Sequence, residues 1–142
     1  MILKQLALLT FAIAGFQASP ALAQQCVQGA SPTPQQMARR TDGLKATRAV
    51  NNLEANQPGS ATHKYLRQVE LPTSPFATGS NASEFLKMLN FTPGEELMPG
   101  WKLTLDLTSD GYWFMIKDQT DPCGFAFVSN QDGLIFEAQP IQ

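Results

Sequence analysis

From Trp101 onward the chain alternates. Trp101, Leu103, Leu105 and Leu107 are apolar and Lys102, Thr104 and Asp106 between them are polar, the period-two pattern of a strand buried on one face. Ser109-Asp110-Gly111 supplies turn chemistry, and Tyr112–Lys117 predicts a second strand with aromatic rings on both faces. Asp118–Pro122 reads as a longer loop that Pro122 keeps out of any ladder. Cys123–Ser129 predicts a third strand, and Asn130-Gln131-Asp132-Gly133 turns into a fourth at Leu134–Glu137. Short connections of this kind join strands as an antiparallel meander.

The pattern before Trp101 has a helical period. Thr33-Pro34-Gln35-Gln36 is a helix start, with Thr33 as cap, Pro34 in the first turn and Gln36 closing a capping box. Ala46, Ala49, Val50 and Leu53 follow as a thin apolar stripe, which gains stability only by docking on something larger. Asp42-Gly43 is a candidate break, and Asn56-Gln57-Pro58-Gly59 a stop. His63–Leu71 fits both a helix and a strand, the helix somewhat better; Pro72–Ser80 reads as a loop. Asn81-Ala82-Ser83-Glu84 repeats the capping-box pattern before a short helix carrying Phe85, Leu86, Met88 and Leu89, and Thr92–Gly100 reads as a turn-rich connection. The expected fold class is therefore α+β: N-terminal helices packed on a C-terminal four-stranded antiparallel meander.

The first residues read differently. Lys4, the apolar run Leu6–Phe16, Pro20 and Ala21-Leu22-Ala23 have the anatomy of a secretory signal, with cleavage expected between Ala23 and Gln24. The run is shorter than the roughly 17–25 apolar residues of a spanning helix, so no membrane span is expected after cleavage; retention of the leader as an anchor is the alternative. The expected organisation is a signal peptide at 1–23, a linker at 24–33 carrying Cys26, and one α+β domain at 34–142, helical over 34–100 and sheet over 101–137. A periplasmic or secreted location follows.

Charge sharpens this picture. Without the leader the chain has nine basic and twelve acidic residues. Six of the basic ones, Arg39, Arg40, Lys45, Arg48, Lys64 and Arg67, precede Glu70, whereas ten of the acidic ones lie from Glu70 onward. Attraction between the two segments within one fold is the simpler reading, and a basic face for an anionic surface the sharper one. The export address disfavours nucleic acid. Cys26 and Cys123, the only cysteines, are expected to form a disulfide across nearly the whole mature chain. A redox thiol would need a CxxC or an activating base, and neither is adjacent; pairing between two chains is a lesser option.

Candidate chemistry is sparse. His63 is the only histidine, and no nucleophile elbow accompanies it. Asp106–Gly111 imitates the opening of a calcium loop, yet the twelfth position is Lys117 where a bidentate Glu belongs. Glu95-Glu96 reads as a solvated pair. No catalytic, metal or cofactor set is expected. Asn81-Ala82-Ser83 and Asn90-Phe91-Thr92 match the N-glycosylation pattern, which matters only in a eukaryotic secretory pathway. The aromatics crowding the sheet either pair across strands or form an exposed patch for a protein or a glycan; the candidate surface is Trp101, Tyr112, Trp113, Phe125 and Phe127.

Gly111-Tyr112-Trp113-Phe114, Cys123-Gly124-Phe125-Ala126-Phe127 and Asp132-Gly133-Leu134-Ile135 together resemble the C-terminal sheet of type IV pilin-like proteins. The resemblance covers about thirty residues, and the leader lacks that family's processing site before a long hydrophobic assembly helix. It implies a pilin-head-like module that does not polymerise through such a helix. The expected function is non-enzymatic, a binding or accessory protein of the cell envelope; the alternative is a small periplasmic or secreted hydrolase or enzyme inhibitor without a recognisable motif.

Overall fold

A computed structural model describes residue 26 and residues 31–56, 64–80 and 82–139. The leader, its cleavage site at Ala23 and Gln24, His63 and Asn81 lie outside the described residues. Helix α1 spans Pro34–Asn56 without interruption. Its capping box forms as the residues require: Gln36 N donates to Thr33 Oγ1 (3.2 Å) and Thr33 N to Gln36 Oε1 (2.8 Å). The apolar stripe docks as expected, with Ala46, Val50 and Leu53 fully buried.

Gly43 does not break the helix. It is buried beneath the indole of Trp101, and a Cβ there would lie 2.5 Å from Trp101 Cη2. Packing therefore selects the glycine, and the helix tolerates its lower propensity because the ring rests on the backbone.

A two-turn 3-10 helix, Gln68–Thr73, begins in the ambiguous stretch and runs into the expected loop, which also contains the short helix α2, Pro75–Thr78. Ser74 caps α2 by accepting from Ala77 N, with Pro75 as its first residue. Helix α3, Glu84–Lys87, is capped by Ser83, which accepts from Leu86 N.

The sheet has five antiparallel strands, not four, in the order β1-β2-β3-β4-β5: Glu96–Met98, Trp101–Leu107, Tyr112–Asp118, Ala126–Asn130 and Ile135–Ala138. The added strand β1 lies inside the expected turn-rich connection. Three residues are too short to show a period, and Pro99-Gly100 then reverses the chain with Gly100 at φ 76°, as position i+2 of a type II turn demands.

Helix α1 lies across β3 and β4, while the 3-10 helix packs against β2. Leu103, Leu105, Phe114, Ile116 and Phe127 from the inner face of the sheet join Val50, Leu53, Leu71, Leu89, Phe91 and Leu97 in one core. Of the buried polar residues on α1, Thr47 donates to the Gly43 carbonyl of its own helix, Glu54 accepts from Leu66 N, and Asn51 finds its partners on the sheet. Asn51 Nδ2 donates to Ser129 Oγ (2.8 Å), Tyr112 OH donates to Asn51 Oδ1 (3.1 Å), and Ser129 Oγ donates to the Leu134 carbonyl (2.7 Å). Burial, reinforced by the negative charge of Glu54, pushes the Tyr112 phenol up to about 12, so the ring enters the core as a neutral donor. Satisfied polar groups of this kind fix the helix on the sheet in one register.

Candidate interaction surface

Strand pairing determines which side chains share the outer face. Cross-strand register aligns Thr104 with Met115, Met115 with Val128, and Val128 with Phe136, a row running over four strands on the side opposite α1. The next row is Asp106, Trp113 and Asn130. Trp113 is 40 % exposed, Phe136 56 %, and Leu134, in the turn leading to β5, 58 %. Pairing continues on the other side of the apolar row with Lys102 opposite Lys117, two like charges on adjacent strands, an arrangement that disfavours the isolated sheet.

Of the five aromatic residues expected at a surface, Trp101, Tyr112, Phe125 and Phe127 belong to the core, and Trp113 alone faces outward. Trp101 stacks on Phe127 and Phe127 meets Phe125 edge-on. These rings lie where they do because Trp101 shares the parity of Leu103 and Leu105, and Phe127 that of Ser129, positions that all face α1. Alternation along β3 puts Met115 on the face of Trp113, register adds Val128 and Phe136, and Leu134 is exposed in the turn before β5.

Behind the sheet, the loop between β3 and β4 is clamped to the start of α1. Cys26 and Cys123 form a disulfide with a sequence separation of 97 residues. Arg39 holds Asp118 in a bidentate pair, Nε to Oδ2 at 3.0 Å and Nη2 to Oδ1 at 2.7 Å. Arg40 lies 3.8 Å from Asp121 and places its guanidinium 3.9 Å from the centre of the Phe125 ring. Asp121 Oδ1 accepts from Cys123 N at 2.8 Å. Two basic residues of the N-terminal segment thus meet two acidic residues of the C-terminal one, as the charge asymmetry anticipates. Lys45 and Arg48, from the same basic segment, border a groove of about 390 Å³ whose apolar wall includes Phe76, Phe85 and Leu86.

Burial raises the Asp118 carboxyl, but hydrogen bonds from Arg39 and from the side chain and backbone of Thr120 outweigh it, leaving the group below its ordinary value. A carboxylate with a depressed folded value contributes stability at pH values above the unfolded value, about 3.9. That contribution is lost as the pH falls from there through the folded value. Urea unfolding at pH 7 and pH 3 should therefore show a smaller acid loss for Asp118→Asn than for the native chain. Equal acid losses in the two proteins would contradict this role for the pair.

The remaining candidates serve the local structure. Glu95 Oε2 accepts from Asn90 Nδ2, and Glu96 Oε2 from Gly100 N, so each carboxylate ties a turn and the two do not act together. Asn90 is exposed, and its Oδ1 also accepts from Thr92 N. The calcium-like segment is the β2–β3 hairpin, closed by Thr108 N on the Gly111 carbonyl and Gly111 N on Thr108 Oγ1. Among the described residues no three His, Cys, Asp or Glu side chains gather as a metal site, and no helix is long and apolar enough to cross a membrane. Comparison of the chain with protein-family models, curated proteins and solved structures gives no match.

Proposed function

We propose that the chain is a non-enzymatic binding module of the periplasm or the extracellular space, and that the outer face of its sheet receives a protein partner. The carrying observation is the apolar row Met115, Val128 and Phe136, the first two half-buried and Phe136 exposed, extended by the exposed Trp113 and Leu134 on the side of the sheet opposite α1. Contiguous exposed apolar side chains rimmed by charge are the usual mark of an interaction site. Here Lys102, Lys117 and Asp106 supply the rim. The disulfide supports an oxidising compartment.

A photo-crosslinking side chain placed at Trp113 or Phe136 in the exported protein should give one discrete adduct with a partner. The same group at Met37, exposed on α1, should give none. Trp113→Ala combined with Phe136→Ala should abolish partner binding yet change stability by less than about 1 kcal/mol, because neither ring is in the core. Identical adducts from Met37 and the sheet positions, or none from the sheet, would refute the proposal.

A second reading, an accessory subunit resembling a pilin head, draws support from the order of elements, a 23-residue helix followed by an antiparallel meander.

A further inference from the structure

The sheet is open not only on its outer face but along one edge, and the two openings call for different partners. Just beyond the two ends of β2, Thr108 N donates to the Gly111 carbonyl and Gln119 N to the Gly100 carbonyl. Between these points the register with β3 is unbroken. The alternation of an antiparallel ladder then directs the N–H and C=O groups of Lys102, Thr104 and Asp106 to β3, and those of Leu105 and Leu107 to the opposite side. Strand β1 lies on that side but pairs only with Trp101 and Lys102. Among the described residues Leu105 and Leu107 have no backbone partner there.

That edge is not bare surface. A groove of about 730 Å³ runs along Lys102–Leu107, and its other lining residues are Arg67, Gln68, Val69, Pro93 and Gly94. The wall is tied together by Gln68 Nε2 donating to the Phe91 carbonyl at 3.3 Å. Val69, 55 % exposed, supplies apolar surface to it. Asp106 makes no ion pair among the described residues and belongs to this stretch of strand.

We infer that this groove binds an extended polypeptide segment of a partner protein, which adds to the sheet as a strand beside β2. Unpaired main-chain donors and acceptors in a row recognise another main chain, while pockets between alternate side chains select sequence. The segment's inward side chains would be apolar, continuing the layer of Leu105 and Leu107. An outward basic side chain would lie beside Asp106. Six residues of β2 extend over roughly 20 Å, enough for a short strand. The wall of 67–69 and 93–94 favours a single chain over the sheet edge of a second globular copy. This binding mode is independent of the outer-face reading, because it uses backbone groups at an edge and not Trp113 or Phe136.

Amide exchange measured by NMR tests it. In the free protein Leu105 and Leu107 should exchange at least about tenfold faster than Thr104 and Asp106, whose N–H groups are in the ladder. The probe is a blocked short peptide alternating valine with threonine or lysine. At millimolar concentration it should slow exchange at Leu105 and Leu107 by about tenfold or more, whereas a version with proline at the positions facing β2 should not. Val69→Glu, in the wall, should weaken the peptide by about tenfold without changing thermal stability. Three results would overturn the inference: equal protection of all four amides in the free protein, no response to the alternating peptide, or protection that rises with protein concentration alone, which would mean self-association.

Discussion

Replacing Cys26 and Cys123 together by serine is expected to lower the unfolding free energy by about 3–5 kcal/mol, the largest effect of any change that leaves the core side chains intact. The bridge joins residues 97 positions apart. Closing a loop of about 100 residues removes unfolded-state entropy worth ~4.7 kcal/mol in the chain-entropy model, and residual order in the unfolded chain reduces that figure. Domains of this size have only about 5–15 kcal/mol in total, so the serine variant should be marginal. Arg39 and Arg40 would still hold Asp118 and Asp121, but partly exposed ion pairs contribute far less than a covalent closure. Urea unfolding of the bridged and serine proteins at pH 7 measures the difference; a loss below about 1 kcal/mol would mean the bridge is incidental.

Trp101→Ala should cost about 3–5 kcal/mol through the cavity it leaves. The ring is 2 % exposed, stacks on Phe127 at 6.1 Å between centroids, and has the Arg39 guanidinium 5.7 Å from its centre. Its other contact permits a sharper test. In an ordinary helix interior Gly→Ala stabilises by about 1 kcal/mol. At position 43 the new methyl carbon would meet three indole atoms within 2.8 Å, and overpacking of a buried ring costs about 1–3 kcal/mol. Gly43→Ala should therefore destabilise the native protein. In the Trp101→Ala background, where the ring is gone, the same change should become neutral or stabilising. A double-mutant cycle reads this reversal as coupling; additive effects would show that the glycine is not there for the indole.

Much of the architecture follows from the period of the side chains. Trp101–Leu107 alternates cleanly and is a strand over that whole range, and Thr33–Gln36 caps a helix as its residues require. Strands β3 to β5 differ from their expected ranges by one to three residues at one end or both, most at the start of β4, where the Asp121–Gly124 turn takes the first positions. The losses occurred where local signals compete with tertiary contacts. Gly43 looks like a breaker until the ring above it is known. Helix α1 has a thin stripe because its buried face includes Thr47, which bonds back to the Gly43 carbonyl, and Asn51 and Glu54, whose partners lie elsewhere in the chain. Strand β1 is too short to carry a period.

The candidate surface was legible as chemistry but not as membership. An aromatic-rich sheet with only one face to bury must expose some apolar residues, and it does. Which ones is a matter of parity: Tyr112 and Trp113 are neighbours in sequence and lie on opposite faces. Phe136 was separable from Phe127 only once the β4–β5 register placed it opposite Val128. The β2 edge was wholly invisible to pattern, because it depends on where β1 stops.

The proposed function requires that the chain leave the cytosol and that its one described disulfide, Cys26–Cys123, form outside it. Intact mass of the protein collected outside the cytoplasm, alkylated before and after reduction, tests this most directly. The predicted result is a monomer beginning at Gln24 that takes no alkyl group in its native state and two after reduction. A mass retaining the leader, or two thiols that alkylate without reductant, would contradict it.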